Sequence, residues 1–391
     1  MTVRTRILFV ITGLSTGGAE MMLCQLIGRL DRAAFRPGVV VLTGRSELQA
    51  RLEAQGVWLK NIGLGLGRPP GPAAVIRLIK AAREFNPHLI QGWMYHGNLA
   101  ASLTARFLPN RPPVAWNIRQ SLSDSKQDRS LTRAVIRLGA WLSPTVDLLI
   151  NNSQASEAQH RRMGYAAAAG LVIPNGFDLE VFKPDPAARV SVRTELGLTQ
   201  DKLLIGLIGR FHPMKDHAGF LEAAAMIQRE RPEICFLLAG QRVDQYNPAL
   251  SGRVEALGLA GRVHLLGRRE DVPRLTAALD LAVSASSRAE GFSNVVGEAM
   301  ACGVPCVVTD VGDSARLVDR AGLVVPPRSP AALAGACLAL LAWPSEQRMA
   351  LGLAGRSRIS RHYSLDAVTR RYEVSYRRLL EEGKRPLVNR R

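Results

Sequence analysis

Short apolar runs alternate with helical patterns along the chain, and this alternation constrains the fold more than any other feature. A strand, a helix and a second strand in succession form a parallel unit, because the helix returns the chain to the same edge of the sheet. Repetition of this unit predicts an α/β protein with doubly wound parallel sheets. The predicted strands are Ile7–Thr12, Gly38–Leu42, Leu89–Gly92, Val114–Asn117 and Leu148–Asn151, then Leu203–Ile208, Ile234–Ala239, Val263–Leu266, Leu281–Ser284 and Cys306–Thr309.

A segment rich in turn-forming residues separates the two series of strands. It reads IPNGFDLEVFKPDPAA, and such a composition is typical of a boundary between domains. A chain of 391 residues is long enough for two domains with separate cores. We therefore predict a first domain over residues 1–183, a second over residues 184–363, and a C-terminal helix with a basic tail over residues 364–391.

The composition indicates a globular chain with an acidic partner. The net charge of +18 favours nucleotide phosphates, a nucleic acid or an anionic membrane surface. Aromatic residues make up only 5% and no basic run is interleaved with them, so we expect no nucleic-acid partner. The longest apolar run, residues 331–343, is too short to span a bilayer. We therefore expect a cytoplasmic protein, with peripheral attachment to the inner face of the cell membrane as an open alternative.

Two loops that follow predicted strands are candidates for ligand binding. Gly17 and Gly18 open a helix after the first strand, although they fit neither a P-loop nor GxGxxG, and an ordinary turn remains the alternative. Arg210 and Lys215, in GRFHPMKDH, follow the first strand of the second half. A guanidinium fork and an ammonium group together suit a diphosphate. Their position after a strand favours ligand binding, because open α/β sheets bind ligands at that edge.

The stretch at residues 288–312, RAEGFSNVVGEAMACGVPCVVTDVG, predicts a loop, a helix and a strand. We expect Ser293 or Asn294 to cap the helix through a side-chain oxygen. The free amides of the first turn favour an anionic or hydroxyl-rich ligand. Glu290 and Glu298 lie on either side of these amides. A solvated surface Glu is the usual alternative, but the small and apolar neighbours disfavour it here.

Glu290 and Glu298, within EGFSNVVGEAMACGVPCVVTD, resemble the signature of glycosyltransferase family 4, whose members are retaining enzymes of the GT-B fold. The resemblance implies two Rossmann-like domains that face a cleft, with the last helix, about residues 364–381, crossing back to the first domain. It also implies transfer of a sugar from a nucleotide sugar, expected to be UDP-linked, to a saccharide acceptor. Bacterial surface-polysaccharide synthesis is the usual setting, so a lipid-linked acceptor is expected. The nucleotide sugar is a co-substrate, and no cofactor is expected.

The resemblance assigns roles to the motif residues. It implies that Glu290 contacts the donor sugar and that Glu298 contacts the ribose hydroxyls. Arg210 and Lys215 would neutralise the leaving diphosphate, which the first domain approaches through Gly17 and Gly18. The chain has no Asp-x-Asp motif and no CxxC, so we expect a reaction without metal. Backbone amides for the sugar and phosphate would come from the run Gly291, Phe292, Ser293, Asn294 and Val295.

The residue with the catalytic role on the first domain stays open between His96 and Arg119. His96 follows a strand in WMYHGN, and its pKa suits acid–base chemistry, although a lone His is more often structural. Many family members carry a His after the next strand, where this chain reads VAWNIRQS. Arg119 in that segment would instead bind a phosphate or an anionic acceptor.

Residues 128–142 predict an amphipathic helix with a basic side. One interpretation is a helix that packs on its own sheet with exposed arginines. The other is a surface that binds anionic lipid. The apolar stripe comprises Leu131, Val135, Leu138 and Leu142, and the basic stripe comprises Arg129, Arg133 and Arg137.

Two other functions stay open at this point. A GT-B sugar-nucleotide epimerase would share the fold and the donor but would need no acceptor. A non-catalytic protein that binds nucleotides or polyanions would account for the charge, but it would need neither both glutamates nor both phosphate-binding residues.

Overall fold

The computed structural model describes residues 4–15, 17–44, 47–65, 70–122 and 130–383, in two compact units. Unit 1 comprises Met1–Gly176 and Leu365–Arg391, and unit 2 comprises Phe177–Ser364. The sequence predicts these divisions at residues 183 and 363. The predicted basic tail, from residue 384 onward, lies outside the described residues.

Unit 1 is built on a parallel sheet of seven strands. They are β1 (Thr5–Ile11), β2 (Phe35–Val41), β3 (Trp58–Asn61), β4 (Leu89–Trp93), β5 (Val114–Ile118), β6 (Leu148–Asn151) and β7 (Ala169–Val172). The strand order is β3-β2-β1-β4-β5-β6-β7. The helices between them are α1 (Gly18–Arg29), α2 (Glu47–Ala54), α3 (Pro72–Phe85), α4 (Met94–Arg106), α5 (Ser130–Leu142) and α6 (Gln154–Arg162).

Unit 2 has a parallel sheet of six strands. They are β8 (Leu204–Ile208), β9 (Cys235–Ala239), β10 (Val263–Leu265), β11 (Leu281–Ser284), β12 (Cys306–Thr309) and β13 (Gly322–Val325), in the order β10-β9-β8-β11-β12-β13. Its helices are α7 (Pro186–Glu195), α8 (His217–Glu230), α9 (Pro248–Ala256), α10 (Val272–Ala277), α11 (Asn294–Ala301), α12 (Ser314–Val318), α13 (Pro330–Leu341) and α14 (Ser345–His362). The prediction of doubly wound parallel α/β sheets is confirmed.

Both faces of the first sheet are covered, which explains why its central strands are uninterrupted apolar runs. Successive side chains of a strand point to opposite faces. Ile7 and Phe9 therefore pack under α1 and α2, whereas Leu8 and Val10 pack under α3, α4 and α5. A sheet buried on both sides has no polar face, so its strands lose the usual alternation.

In each sheet the strand order reverses next to the first strand of that unit. The reversal lies between β1 and β4 in unit 1 and between β8 and β11 in unit 2. Loops that leave two such neighbouring strands diverge, and they open a crevice at the carboxyl edge of the sheet. Within each unit, this crevice is where the fold places a ligand.

The last helix, α15 (Leu365–Gly383), belongs to unit 1 and packs on α1. A buried polar network joins it to the ends of the central strands. The Tyr372 hydroxyl accepts hydrogen bonds from Asn117 Nδ2 and Arg119 Nη1, both at 2.7 Å. The Arg119 guanidinium also stacks over Trp93, 5.4 Å from the ring centroid. The hydroxyl therefore satisfies two buried donors at once.

Removal of that hydroxyl should destabilise the protein. We expect Tyr372→Phe to lower the free energy of unfolding by about 1–3 kcal/mol, because buried donors of Asn117 and Arg119 lose their acceptor. Urea unfolding followed by circular dichroism measures the change. Tyr246→Phe is the matched control, since Tyr246 is 83% exposed. Equal stability of the two variants would contradict the role assigned to the network.

Candidate active site

In unit 2, the residues predicted to bind the donor come together at the reversal of strand order. Arg210 and Lys215 follow β8, and Glu290 follows β11, its neighbour in the sheet. Glu298 lies on α11, the helix that comes after Glu290. The carboxyl ends of parallel strands meet at one edge, so residues far apart in sequence share a crevice.

Lys215 and Glu290 form an ion pair at the centre of this site. The Lys215 ammonium lies 2.7 and 2.8 Å from the two carboxylate oxygens of Glu290. The side chains are only 19% and 10% exposed. The Ser286 hydroxyl also donates to Glu290. Burial raises the pKa of Glu290, but the charge of Lys215 and the hydrogen bonds outweigh it, so this pKa lies below its ordinary value. Glu290 is therefore a carboxylate at neutral pH.

The loops that hold this pair adopt unusual backbone conformations. Asp216 has φ +49° directly after Lys215, and its carboxylate accepts a hydrogen bond from the Gly219 amide at the start of α8. Ala289 has φ +55° directly before Glu290. Residues with a side chain rarely adopt positive φ, and such strain is concentrated at functional sites. Both partners of the ion pair are thus positioned by strained turns.

A glycine on a third loop allows the backbone of Glu290 to lie where it does. A Cβ atom on Gly312, whose φ is +62°, would lie 1.8 Å from the Glu290 carbonyl oxygen. The Asp313 amide, next in the chain, donates to the buried Gly291 carbonyl at 3.0 Å. No sequence pattern identifies Ser286 or Gly312 as a site residue, because each acts only through its three-dimensional contact with Glu290.

The start of α11 is fixed differently from the prediction. Ser293 occupies the N-cap position but makes no side-chain cap hydrogen bond, and Asn294 is the first helical residue, so the predicted cap is wrong. Phe292 instead stacks on Phe177, with ring centroids 6.1 Å apart. A Cβ atom on Gly297 would lie 1.9 Å from the Phe177 ring, so the ring packs directly on the helix backbone. Aromatic packing therefore positions the first-turn amides.

Glu298 lies one turn into α11 and is half-buried. It lines a small, mostly apolar space with Ile208, Ala282 and Val295. Burial raises the pKa of Glu298 to about 7, although the charge of Lys215 acts against this. No described residue donates a hydrogen bond to its carboxyl group, which leaves that group available to a ligand.

In unit 1, the predicted residues follow the strands at the other reversal. Gly17 and Gly18 lie at the start of α1, after β1. Met94, with φ +64°, turns the chain from β4 into α4, which carries His96. His96 is half-buried, and burial lowers the pKa of its imidazole, which is neutral at pH 7. A neutral imidazole can accept a proton.

Arg119 is buried and bound to other protein groups, which is not the environment of a ligand-binding residue. Its guanidinium donates to Tyr372 and to the Asn175 side chain, with a longer bond to the Ile173 carbonyl. Burial lowers the pKa of Arg119, and no carboxylate among the described residues pairs with it. This geometry favours a structural role over the predicted catalytic one, and it leaves His96 as the candidate from unit 1.

Helix α5 packs on the core of unit 1 through part of the predicted apolar stripe, because Val135 and Leu142 contact that core. Ile136 is buried beside them, whereas Leu138 is 46% and Trp141 is 75% exposed. The stripe prediction is therefore wrong at Leu138. Residues 128 and 129 and the side chain of Leu131 lie outside the part of the chain that is described.

Two further observations concern residues 4–383, apart from the gaps given above. No three His, Cys, Asp or Glu side chains converge there in a way that could hold a metal ion. No helix in that part is long and apolar enough to cross a membrane.

The fold defines an α/β protein of two units, each with a crevice at the reversal of its strand order. Comparison with protein families identifies the class further. The model described as Glycosyltransferase Family 4 matches residues 16–181. The model described as Glycosyl transferases group 1 matches residues 202–342. The chain belongs to glycosyltransferase family 4 and has the GT-B fold, which confirms the resemblance seen in the sequence.

Named relatives share part of the chain. The lipopolysaccharide core biosynthesis mannosyltransferase LpsB of Rhizobium meliloti is 30% identical over 56% of this chain and 64% of its own length. The putative glycosyltransferase EpsF of Bacillus subtilis is 27% identical over 78% of this chain and 79% of its own. A UDP-Gal:α-D-GlcNAc-diphosphoundecaprenol α-1,3-galactosyltransferase of Escherichia coli is 32% identical over 38% of each. The chain thus spans less than two thirds of the length of two of these relatives.

Solved structures share the fold over nearly the whole chain. HepE of Anabaena in complex with UDP has a TM-score of 0.83 at 23% identity, covering 96% of this chain and 100% of that one. Sucrose-phosphate synthase of Thermosynechococcus elongatus has a TM-score of 0.78 at 21% identity, covering 97% and 100%.

The raised pKa of Glu298 predicts a pH dependence of stability. Its value is about 7 in the folded protein against 4.5 for an ordinary Glu. The folded state therefore holds the proton more tightly, and the resulting stabilisation is complete below pH 4.5 and lost as the pH rises through about 7. Glu298→Gln should remove this loss. Urea unfolding of both proteins between pH 4.5 and 8 tests it, and parallel pH profiles would contradict the assignment.

Proposed function

We propose that the protein transfers a sugar from a UDP-sugar to a hydroxyl group of a saccharide, with retention at the anomeric carbon. The observation that carries the proposal is the buried Lys215–Glu290 pair, at the reversal of strand order and beside the start of α11. The UDP bound by HepE and the UDP-galactose named for the Escherichia coli relative support the choice of nucleotide.

The diphosphate of the donor would be bound by cations and amides. Arg210 is exposed at the end of β8, and its planar fork suits two phosphate oxygens. Lys215 supplies an ammonium group that already lies in the crevice. The first-turn amides and the dipole of α11 add further positive potential. These groups would stabilise the charge that develops on the leaving diphosphate, so we propose that no divalent ion is required.

Glu290 would act at the sugar. As the bond between the anomeric carbon and the phosphate oxygen breaks, positive charge develops on the sugar ring. A nearby carboxylate, held ionised by Lys215, stabilises that charge. Retention follows from front-face attack by the acceptor hydroxyl, in which a carboxylate stabilises the charge on the sugar, or from two successive displacements, in which a carboxylate is the first nucleophile.

Glu298 would bind the ribose. Its carboxyl group has no protein donor among the described residues, and the two ribose hydroxyls supply donors. A diol that hydrogen-bonds to the carboxylate favours the ionised form, so donor binding should lower the pKa of Glu298.

We propose that the acceptor is a lipid-linked saccharide. Because its lipid part lies in a membrane, the protein would have to bind the membrane surface, and the exposed surface of α5 would make that contact. Leu138 and Trp141 are exposed on this helix beside the exposed Arg137. Exposed apolar residues next to a cation suit the interface of an anionic bilayer. The lipid-linked acceptor named for the Escherichia coli relative supports this choice.

Substitution of Glu290 and of Glu298 should change different kinetic parameters. We expect Glu298→Gln mainly to raise the donor KM, because ribose contacts are the same in the ground and transition states. Glu290→Gln should mainly lower kcat, because the charge it stabilises develops only in the transition state. Steady-state kinetics with a defined donor and acceptor separates the two effects. Normal turnover of Glu290→Gln would contradict the catalytic role.

The two cations should contribute to diphosphate binding. We expect Lys215→Ala and Arg210→Ala each to weaken UDP binding by roughly 1.5–3 kcal/mol, the size of a charged hydrogen bond. Calorimetry in excess chelator measures this and tests at the same time whether binding needs a metal. Arg229→Ala, an exposed site on α8, is the control for loss of charge. Unchanged affinity in both variants, or no UDP binding in chelator, would refute this part of the proposal.

The proposed membrane-binding surface of α5 can be tested separately. We expect Trp141→Ala combined with Arg137→Gln to reduce cosedimentation with phosphatidylglycerol vesicles, because it removes an apolar anchor and a cation. Tyr246→Ala, an exposed aromatic residue of unit 2, is the control. Equal sedimentation of the two variants would rule out α5 as the contact.

A further inference from the structure

Three arginines line one pocket at the amino edge of the sheet in unit 1. Arg4 precedes β1, Arg36 is the second residue of β2, and Arg32 lies in the turn between α1 and β2. The pocket has a volume of about 600 Å³ and is also lined by Phe35 and Trp58. No sequence motif marked these residues, because they are brought together only by the parallel pairing of β1, β2 and β3.

No carboxylate among the described residues forms an ion pair with the three arginines of this pocket. None of its lining residues is acidic. Three carboxylates on the adjoining elements, those of Glu373, Glu84 and Asp31, have other partners. Glu373 accepts from the Asp31 amide at 2.9 Å and lies 3.7 Å from Arg377, and Glu84 pairs with Lys60 at 3.3 Å. The Asp31 carboxylate accepts from an amide of its own turn.

One of the three arginines is partly withdrawn from water, whereas Arg4 and Arg36 are exposed. Arg32 is half-buried, and burial lowers the pKa of its guanidinium. Arg36 lies over the Phe85 ring, 5.9 Å from its centroid, and the same ring packs on Trp58 at 4.9 Å. A partly desolvated cation without a counter-ion is costly, and a bound anion would offset that cost. Contact with an aromatic ring also restricts the orientation of Arg36.

This pocket is separate from the loop that carries Gly17 and Gly18. That loop follows the carboxyl end of β1, whereas Arg4 precedes its amino end. A strand of seven residues, Thr5–Ile11, spans roughly 20 Å at the usual rise per residue. A phosphate bound in the pocket would therefore not reach the donor loop.

We propose that the Arg4, Arg32 and Arg36 pocket is a second phosphate-binding site, which takes a phosphate or diphosphate group carried by a small molecule or a lipid headgroup. Guanidinium forks match phosphate oxygens two at a time, and three forks around one concavity suit a group with several such oxygens. The Trp58 side chain supplies a wall for the organic part of the ligand.

Calorimetry with inorganic pyrophosphate tests the site directly. All proteins carry Lys215→Ala, so that the crevice of unit 2 contributes less to the signal. We expect Arg32→Gln with Arg36→Gln to weaken pyrophosphate binding about tenfold or more, the loss expected for charged hydrogen bonds. Arg161→Gln with Arg162→Gln is the matched control, with the same change of charge at two exposed positions on α6. Equal pyrophosphate affinity of the two double variants would overturn the proposal. So would the absence of pyrophosphate binding to the Lys215→Ala protein that carries neither pair of arginine substitutions.

A second measurement keeps the test decisive if the double variant unfolds. Arg32→Lys with Arg36→Lys retains the charge but removes the forks, and it should also bind pyrophosphate more weakly. In the otherwise unaltered protein, the indole NMR signal of Trp58, assigned with Trp58→Phe, should shift on titration. An unmoved Trp58 signal at saturating pyrophosphate would place the anion elsewhere and refute the site.

Vesicles distinguish the two sources of the phosphate. Binding to phosphatidylglycerol vesicles that requires Arg32 and Arg36 and is displaced by pyrophosphate would identify a lipid headgroup. Binding of pyrophosphate without such vesicle binding would identify a soluble phosphate compound. Either result supports the site, and vesicle binding unaffected by the arginine changes, with unaltered pyrophosphate binding, counts against it.

Discussion

The ion pair between Lys215 and Glu290 is the interaction on which the proposed chemistry depends. Two charges that are taken out of water lose solvation, and their attraction compensates only when the geometry is good. Here both carboxylate oxygens lie within 2.8 Å of the ammonium group, and Ser286 adds a donor. This geometry requires β8 and β11 to be neighbours. The reversal of strand order in unit 2 is thus a condition for the site.

The pair also explains why strained and glycine positions surround it. Asp216 and Ala289 hold positive φ angles on either side of the two charged residues, and Gly312 leaves room for the Glu290 carbonyl. A positive φ angle at Asp216 or Ala289 costs conformational free energy, and the position of Gly312 has no room for a side chain. These conformations persist because the packing of unit 2 holds the loops in place, as expected where backbone strain serves a site. A ligand then meets a preorganised carboxylate and ammonium, and binding need not reorganise the loops.

The sequence predicts the central strands and the residues of the candidate site well. It predicts the edge strands and the hydrogen-bond partners of individual side chains less well. The three strands that it missed, β3, β7 and β13, lie at edges of the sheets, where partial exposure breaks the apolar run. The meeting of the loops after β8 and β11 follows from parallel sheets, but the direct bond from Lys215 to Glu290 depends on exact loop geometry. Arg119 shows the limit most clearly, since its partner Tyr372 is 253 residues away on α15. No local pattern marks such a contact.

Product analysis tests the central claim most directly. The protein would be incubated with UDP-sugars, with and without a saccharide acceptor, and the products followed by NMR. The account predicts UDP and a new glycoside only when acceptor is present, with the anomeric configuration of the donor retained. An epimerised sugar nucleotide formed without acceptor, or a glycoside of inverted configuration, would contradict it.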